Sequence, residues 1–254
     1  MELPINSYHK YHWVCLILND YSSYTWMFLL KNKSDTFLAF KNWLALVNNQ
    51  FNDTLKNLQS DRGGEFLSNE FKQFLLSKGI IHQLSAPHVH QQNGCAEQLN
   101  NTMIEKAECM RLHSSCPKSW WEFAMETAIH VYNHTPLRRT NWTTPFENIY
   151  SKVPDVSYFK TFGCAAYVHK PKDTRQNKLS PKAELMTFVG YAQNCKAYQF
   201  MTKDNAIVIG MQAIFDELQF PRSGNTSSNE RLIDIQHKDT ESVSPQEEDI
   251  LLQL

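Results

Sequence analysis

Apolar and polar positions follow two rhythms along this chain. Residues 12–18, HWVCLIL, and 24–30, YTWMFLL, are runs of aromatic and branched apolar side chains separated by NDYSS. That pattern predicts a β-hairpin with Asp20 in its turn. Ser34 has the side chain to cap a helix, and beyond it Phe37, Phe40, Leu44, Val47 and Phe51 step by threes and fours, one buried helical face. A strand over 55–60 ends at Asp61. Ser68 predicts the cap of a second helix bearing Phe71, Phe74 and Leu75, and Gly79 stands where a left-handed residue is needed. IIHQL reads as a short strand and SAPHVHQQNG as a polar loop. From Gly94, the stripe Ala96, Leu99, Met103, Ala107 and Met110 predicts a third helix, and KSWWEFAMETAIHVYNH gives a fourth after Pro117. Hairpin, helix, strand, helix, strand, helix, helix is the order of an α/β fold, a mixed sheet flanked by helices.

From about residue 155 the rhythm shortens. AAYVHK, LMTFVGYA, AYQFM, AIVIG and MQAIFDEL are strand-like pieces of a small β module. Residues 221–254 are rich in Ser, Asn, Gln and acids, with little periodicity before DILLQL, and read as a linker or disordered tail. The expected organisation is a core over 1–150, a β module over 155–218 and an acidic tail over 219–254.

Composition sets outer bounds. At 254 residues, 42% hydrophobic and 12% aromatic, the chain can bury a core in one large domain or two smaller ones, which excludes a wholly disordered protein. The formal net charge of -1 argues neither for nucleic acid nor against it, because a basic face can hide in a neutral total. Beyond residue 220 there are seven acidic and three basic residues, leaving 22 basic and 19 acidic before it, so the core is mildly basic. The six cysteines are far apart, with no C-x-x-C pair and no secretory leader. An intracellular protein, nuclear or cytoplasmic and not secreted, is the expectation. No apolar run approaches the roughly 20 residues of a membrane span.

The candidate chemistry lies in LQSDRGGEFLSNEF, where Asp61 at a strand end is followed by Gly63 and Gly64. A second carboxylate, Glu97, opens the helix after the polar loop, with 35 residues between the two. Hard oxygen ligands on converging elements suit magnesium, which keeps several waters and takes one or two carboxylates. Two such ions about 4 Å apart assist phosphodiester transfer. The spacing alone equally fits a turn aspartate and a first-turn glutamate favoured by the helix dipole.

LQSDRGGEFLSNEF, APHVHQQNGCAEQLNNT, PFENIY, FKTFGCAAYVHKP, FVGYAQNCKAYQF and IFDEL come in the order and spacing that resemble the integrase region of copia-type long-terminal-repeat retrotransposons, over roughly residues 1–218. D-x-G-G-E followed by P-x-x-x-Q-Q-N-G-x-A-E is similar to the second and third parts of the D,D,35,E signature. The resemblance implies a ribonuclease H-like mixed sheet lacking its first strand, followed by an SH3-like β module. It implies two magnesium (or manganese) ions held by three carboxylates, acting in 3′ processing and strand transfer. Asp61 is then the second catalytic and metal-binding carboxylate and Glu97 the third. Gly63 and Gly64 let the chain leave the strand without covering the metal. Gln92, Asn93 and Gly94 belong to the flap of the active-site loop, 86–94. The implied partners are DNA, both element ends and target, and further copies of the chain on that DNA. No membrane and no small-molecule cofactor are implied.

The chain also departs from the family pattern. The H-x-D-x-x-G-P motif carrying the first aspartate is absent, and Asp20 matches a non-catalytic hairpin acid expected to bond its own backbone. There is no zinc-binding segment of two histidines and two cysteines; His9 and His12 have only Cys15 nearby and read as strand-edge residues, and His88 and His90 as loop positions. Gln98 and Asn101 stand where the family commonly has arginine. Asn101 shares the Glu97 face of the helix, and Lys106 and Arg111 are the bases that remain on this helix. Asn101 and Lys106 are the candidate DNA contacts, weakened by the lost cations. Trp120 and Trp121 read as core aromatics, and LRR at 137–139 as either a phosphate contact or a solvated face. The expectation is an integrase region with a defective site. The alternative is a catalytically dead or domesticated remnant that binds nucleic acid or protein. An unrelated ribonuclease H-like nuclease would leave the motifs of 162–217 unexplained.

Overall fold

The computed structural model describes residues 1–51, 54–85, 94–170, 181–193 and 195–223, and the backbone of 251–253. Contacts divide the chain into two compact units, Met1–Glu105 with Ile129–Pro154 and Pro245–Leu254, and Lys106–Ala128 with Asp155–Ser244.

In the first unit, β1 (Trp13–Leu18) and β2 (Thr25–Leu30) form the hairpin in an unbroken six-residue antiparallel register. The turn corrects one expectation. Asn19, not Asp20, ties it: the Asn19 Oδ1 accepts from the Ser22 N–H at 2.8 Å and from the Ser22 hydroxyl at 2.9 Å. The Asp20 carboxylate and carbonyl instead accept from Arg139.

A 3-10 turn, Lys33–Asp35, leads into α1 (Thr36–Phe51). Its start is closed by the Asp35 carboxylate accepting from the Asn32 N–H at 3.0 Å, so the cap lies earlier than Ser34. Next come β3 (Asn57–Ser60), the one-turn α2 (Gly64–Leu67) and α3 (Asn69–Lys78). The expected ends of α3 hold: the Ser68 Oγ accepts from the Phe71 N–H, and Gly79 has φ +68°. Then follow β4 (Ile81–Leu84), α4 (Gly94–His113), α5 (Trp121–Asn133) and α6 (Pro145–Tyr150).

Helix α1 buries Phe40, Trp43 and Leu44 against Cys15, Ile17, Leu58, Phe66, Phe71 and Leu75. The end of α5 is tied to β2 by Asn133, whose side chain accepts from the Thr25 N–H at 2.9 Å and donates to the Thr25 carbonyl at 2.8 Å, both buried.

The second unit contains β5 (Ala165–His169), β6 (Ala183–Tyr191), β7 (Tyr198–Met201), β8 (Ile207–Gly210) and β9 (Ala213–Asp216). They form an antiparallel sheet in the order β8-β7-β6-β5-β9, the five pieces expected of the β module. Cys164, Ala166, Val168, Met186, Phe188 and Phe200 are its core.

The quoted motifs meet in this unit. The Glu217 carboxylate of IFDEL accepts from the N–H and hydroxyl of Thr161 in FKTFG, at 2.9 and 2.7 Å. Tyr191 accepts from the Lys160 N–H and Tyr198 donates to the Tyr158 carbonyl. Gly163, at φ +80°, approaches Ser114 so closely that a Cβ there would lie 2.1 Å from the serine Cβ. Only glycine fits that backbone.

A last strand, β10 (Leu251–Gln253), comes from the stretch expected to be a linker or disordered. It belongs to the first unit's sheet, whose order is β2-β1-β10-β3-β4, running parallel to β1 and antiparallel to β3. Among the described residues no helix is long and apolar enough to cross a membrane.

Candidate functional site

The strand β3 ends on a buried hydroxyl. Ser60 Oγ lies 2.9 Å from the Asp61 carbonyl and 2.8 Å from His82 Nε2. A hydroxyl has one proton to give, so it donates to the carbonyl and accepts from the ring N–H. Burial, and then the charge of Lys72, holds His82 below its ordinary range, which favours the uncharged ring. One residue further on, the Asp61 Oδ1 accepts from the Gly63 N–H at 2.9 Å, an Asx-type turn that fixes the carboxylate relative to the backbone. Arg62 turns away, its Nε donating to the Ser85 carbonyl.

The two glycines after Asp61 are not equivalent. A Cβ on Gly63 would lie 2.7 Å from the Glu65 Oε1, whereas one on Gly64 meets nothing within 4 Å. Gly63 is thus needed for the close approach of Glu65, a residue that sequence reasoning passed over. The Glu65 side chain is 5% exposed; its Oε2 is 3.5 Å from the Lys33 Nζ, and its Oε1 has no hydrogen-bond partner. Lys33 in turn lies over the Trp13 ring. Burial pushes the Cys15 thiol up to about 12; the Met1 ammonium opposes this, and the Glu65 and Asp61 carboxylates add to it. The Cys15 thiol therefore feels the Asp61 and Glu65 carboxylates and the chain's amino group together.

Glu97 is half-buried in the first turn of α4, where a carboxylate favours the helix dipole. Ala96, Leu99 and Met103 are the buried positions around it. Asn100, beside them, is fully buried with neither amide atom hydrogen-bonded. Gly94 opens the helix, while Gln92 and Asn93, with His88 and His90, lie outside the described residues. Asn101 is exposed on α4, and Lys106 is half-buried, its ammonium held below the ordinary range by desolvation. Arg111 does not face solvent: it pairs with both Glu108 oxygens at 2.8 and 2.5 Å and donates to the Cys116 carbonyl. Trp120 and Trp121 are buried. Within LRR, Arg138 is exposed and Arg139 pairs with Asp20. His9 stacks edge-on against Tyr8. Among the described residues no group of three or more His, Cys, Asp or Glu side chains is arranged to hold a metal ion.

Comparisons with known proteins follow the same division of the chain. Residues 1–90 match the family model of the integrase core domain, and residues 164–229 that of the retroviral polymerase SH3-like domain. The retrovirus-related Pol polyprotein from transposon TNT 1-94 of Nicotiana tabacum is 36% identical over 169 residues, 66% of this chain. That from transposon RE2 of Arabidopsis thaliana is 31% identical over 224 residues, 87% of this chain. The chain spans 13% and 15% of the length of these polyproteins. A solved structure, the HTLV-2 integrase catalytic core domain in complex with magnesium, is similar at 23% identity and a TM-score of 0.42, over 56% of this chain and 88% of that one. With its integrase core and SH3-like regions in that order, the chain belongs to the family of copia-type long-terminal-repeat retrotransposon integrases.

Proposed function

We propose that this chain is the DNA-integration part of a retrotransposon polyprotein, with Asp61 and Glu97 as the two carboxylates it contributes to a magnesium or manganese site. The observation that supports this is the Asp61 carboxylate fixed by the Gly63 N–H at the end of β3, in an integrase-family chain whose Glu97 opens α4 after 35 intervening residues. Two hard carboxylates fit one magnesium ion, which keeps waters for its other positions. A two-ion site of the family's kind would take a further carboxylate beside them. When bound, such an ion supplies Lewis-acid polarisation of a phosphodiester. Asp61 and Glu97 would hold it, and the absence of a Cβ at Gly63 lets the Glu65 side chain close on the turn that fixes Asp61. DNA is the substrate, further copies of this chain are the partners on it, and the place of action is inside the cell.

The test is strand transfer on a DNA duplex with magnesium, using the chain as it stands, Asp61→Asn and Glu97→Gln. Asparagine keeps the Oδ1 that accepts from Gly63, so the variants are expected to fold. Little or no transfer by the unaltered chain is expected, together with weak manganese binding that each substitution reduces about tenfold or more. Robust transfer by the unaltered chain would overturn the incomplete site.

A second reading, a binding remnant, is favoured by Gln98 and Asn101 in place of cations. It requires DNA affinity that survives both substitutions and falls with salt.

A further inference from the structure

We propose that Lys33 and Glu65 are positioning residues for the Asp61 carboxylate, an ion pair that presses on Gly63 and so holds the turn in which Asp61 is fixed. The inference rests on the reading of Asp61 as a metal-holding carboxylate, and deepens it. Its starting point is a glycine that its own torsions do not require.

Gly63 has φ −51° and ψ 140°, a backbone open to any residue. Space is what excludes a side chain there. A Cβ would lie 2.7 Å from the Glu65 Oε1 and 2.8 Å from its Cδ and Oε2, so the carboxylate group lies face-on to that position. The same glycine donates its N–H to the Asp61 Oδ1 at 2.9 Å, and its carbonyl accepts from the N–H of the fully buried Phe66 at 3.0 Å. Gly63 is thus held on three sides, and Glu65 supplies the third. Beyond it, Gly64 has open space where its Cβ would be. Successive glycines have wide torsional freedom, so a turn built on them keeps one geometry through the contacts made from outside it.

The brace reaches to the hairpin. Glu65 belongs to the one-turn α2, but its Oε2 lies 3.5 Å from the Nζ of Lys33, which sits over the Trp13 ring of β1 at 5.5 Å from the centroid. β1 and β2 are paired over six residues, so the Asp61 turn is tied to that hairpin. Stability is a poor reason for such a pair. A buried carboxylate gives up its hydration, and an ion pair repays this only with close geometry and satisfied lone pairs. Glu65 is 5% exposed, and its Oε1 has no hydrogen-bond partner. An unsatisfied buried oxygen calls for another reason. Holding a metal ligand in place from behind is one, and groups that do so are worth about 10–100-fold in metal affinity.

Two readings on the full chain test the brace: exchange of the Gly63 amide by nuclear magnetic resonance in EDTA, and manganese affinity by electron paramagnetic resonance. The parent, Glu65→Ala, the isosteric Glu65→Gln, and Lys33→Met combined with Glu65→Ala are compared. In both alanine forms the Gly63 amide is expected to exchange about tenfold faster or more while the β1 and β2 amides keep their rates. Manganese affinity is expected to fall about tenfold or more in both. The double variant has the parent's net charge, so a loss there is not the mere removal of an anion. Glu65→Gln keeps the shape without the charge and should fall between parent and alanine in both readings. A Gly63 amide as slow in Glu65→Ala and Glu65→Gln as in the parent overturns the proposal, as does parental manganese affinity in the double variant. If Glu65→Ala loosens the hairpin too, Glu65→Gln decides alone. Manganese bound no better by the parent than by Asp61→Asn overturns the metal reading only, and the Gly63 amide still decides the brace.

Discussion

The two sheets have five strands each and differ in how they are completed. In the SH3-like region every strand pairs with a sequence neighbour except for the single closure of β9 on β5, and each register spans four or five residues. Its centre is a ring cluster in which Phe188 meets Tyr191, Tyr198, Phe200 and Phe215 at centroid distances of 5.4–6.4 Å. In the integrase core the sheet is interrupted, and three residues from the far end of the sequence stand in its middle. Equal strand number therefore hides unequal security: one sheet is closed by its own local pairings, the other by a distant segment.

The strongest test of that contrast is Phe188→Ala, which removes a fully buried ring from the module. It should cost about 3–5 kcal/mol and abolish exchange protection across β5 to β9. If the loss stays under about 1 kcal/mol, the ring cluster does not hold the sheet together. In the core, Asn133→Leu strips two buried partners from Thr25. The expected cost is about 1–3 kcal/mol, read as a lower urea midpoint with unchanged slope.

A pH experiment separates the regions differently. Burial, and then the neighbouring Glu122 carboxylate, pushes Glu126 up to about 7. The neutral form is the one the fold favours, so its contribution is fully present below about pH 4.5 and lost as pH rises through 7. Glu126→Gln should match the parent near pH 4 and exceed it by about 1–3 kcal/mol at pH 8. His130, further along α5, is pushed down to about 4 by burial, so its contribution has the opposite sense: present above about pH 6.5 and lost on acidification. The smallest effect expected is at the glycine pair. Gly63→Ala should cost about 1 kcal/mol because the Glu65 carboxylate must move, while Gly64→Ala is neutral or slightly stabilising. Equal behaviour of the two would remove the steric reason for Gly63.

What could be read in advance was local. The Ser68 cap and the left-handed Gly79 follow from neighbours within four residues, and the five module strands from short alternation. Asn19 and Asp20 both suit a turn, and only the arrival of Arg139 from 119 residues away decides which side chain is committed elsewhere. Arg111 looked like a surface base because Glu108 is an ordinary helical neighbour; the Cys116 carbonyl that draws it inward lies beyond the helix end. At the candidate site, D-x-G-G-E located Asp61, but the crowding of Glu65 against Gly63 and its Lys33 partner come from how α2 meets the 3-10 turn. Strand β10 was the least legible, since three residues of modest pattern gain their pairing only from edges about 190 and 235 positions away.

The cysteines turn this unevenness into a clock. Cys95, Cys109 and Cys195 are exposed and should alkylate at once, whereas Cys15, Cys116 and Cys164 are buried. Burial also pushes those three thiols up to about 12, 11 and 12, so they react only when their surroundings open. Cys15 times the opening of the interrupted sheet, and Cys164 that of the module, in a single labelling course on the unaltered protein.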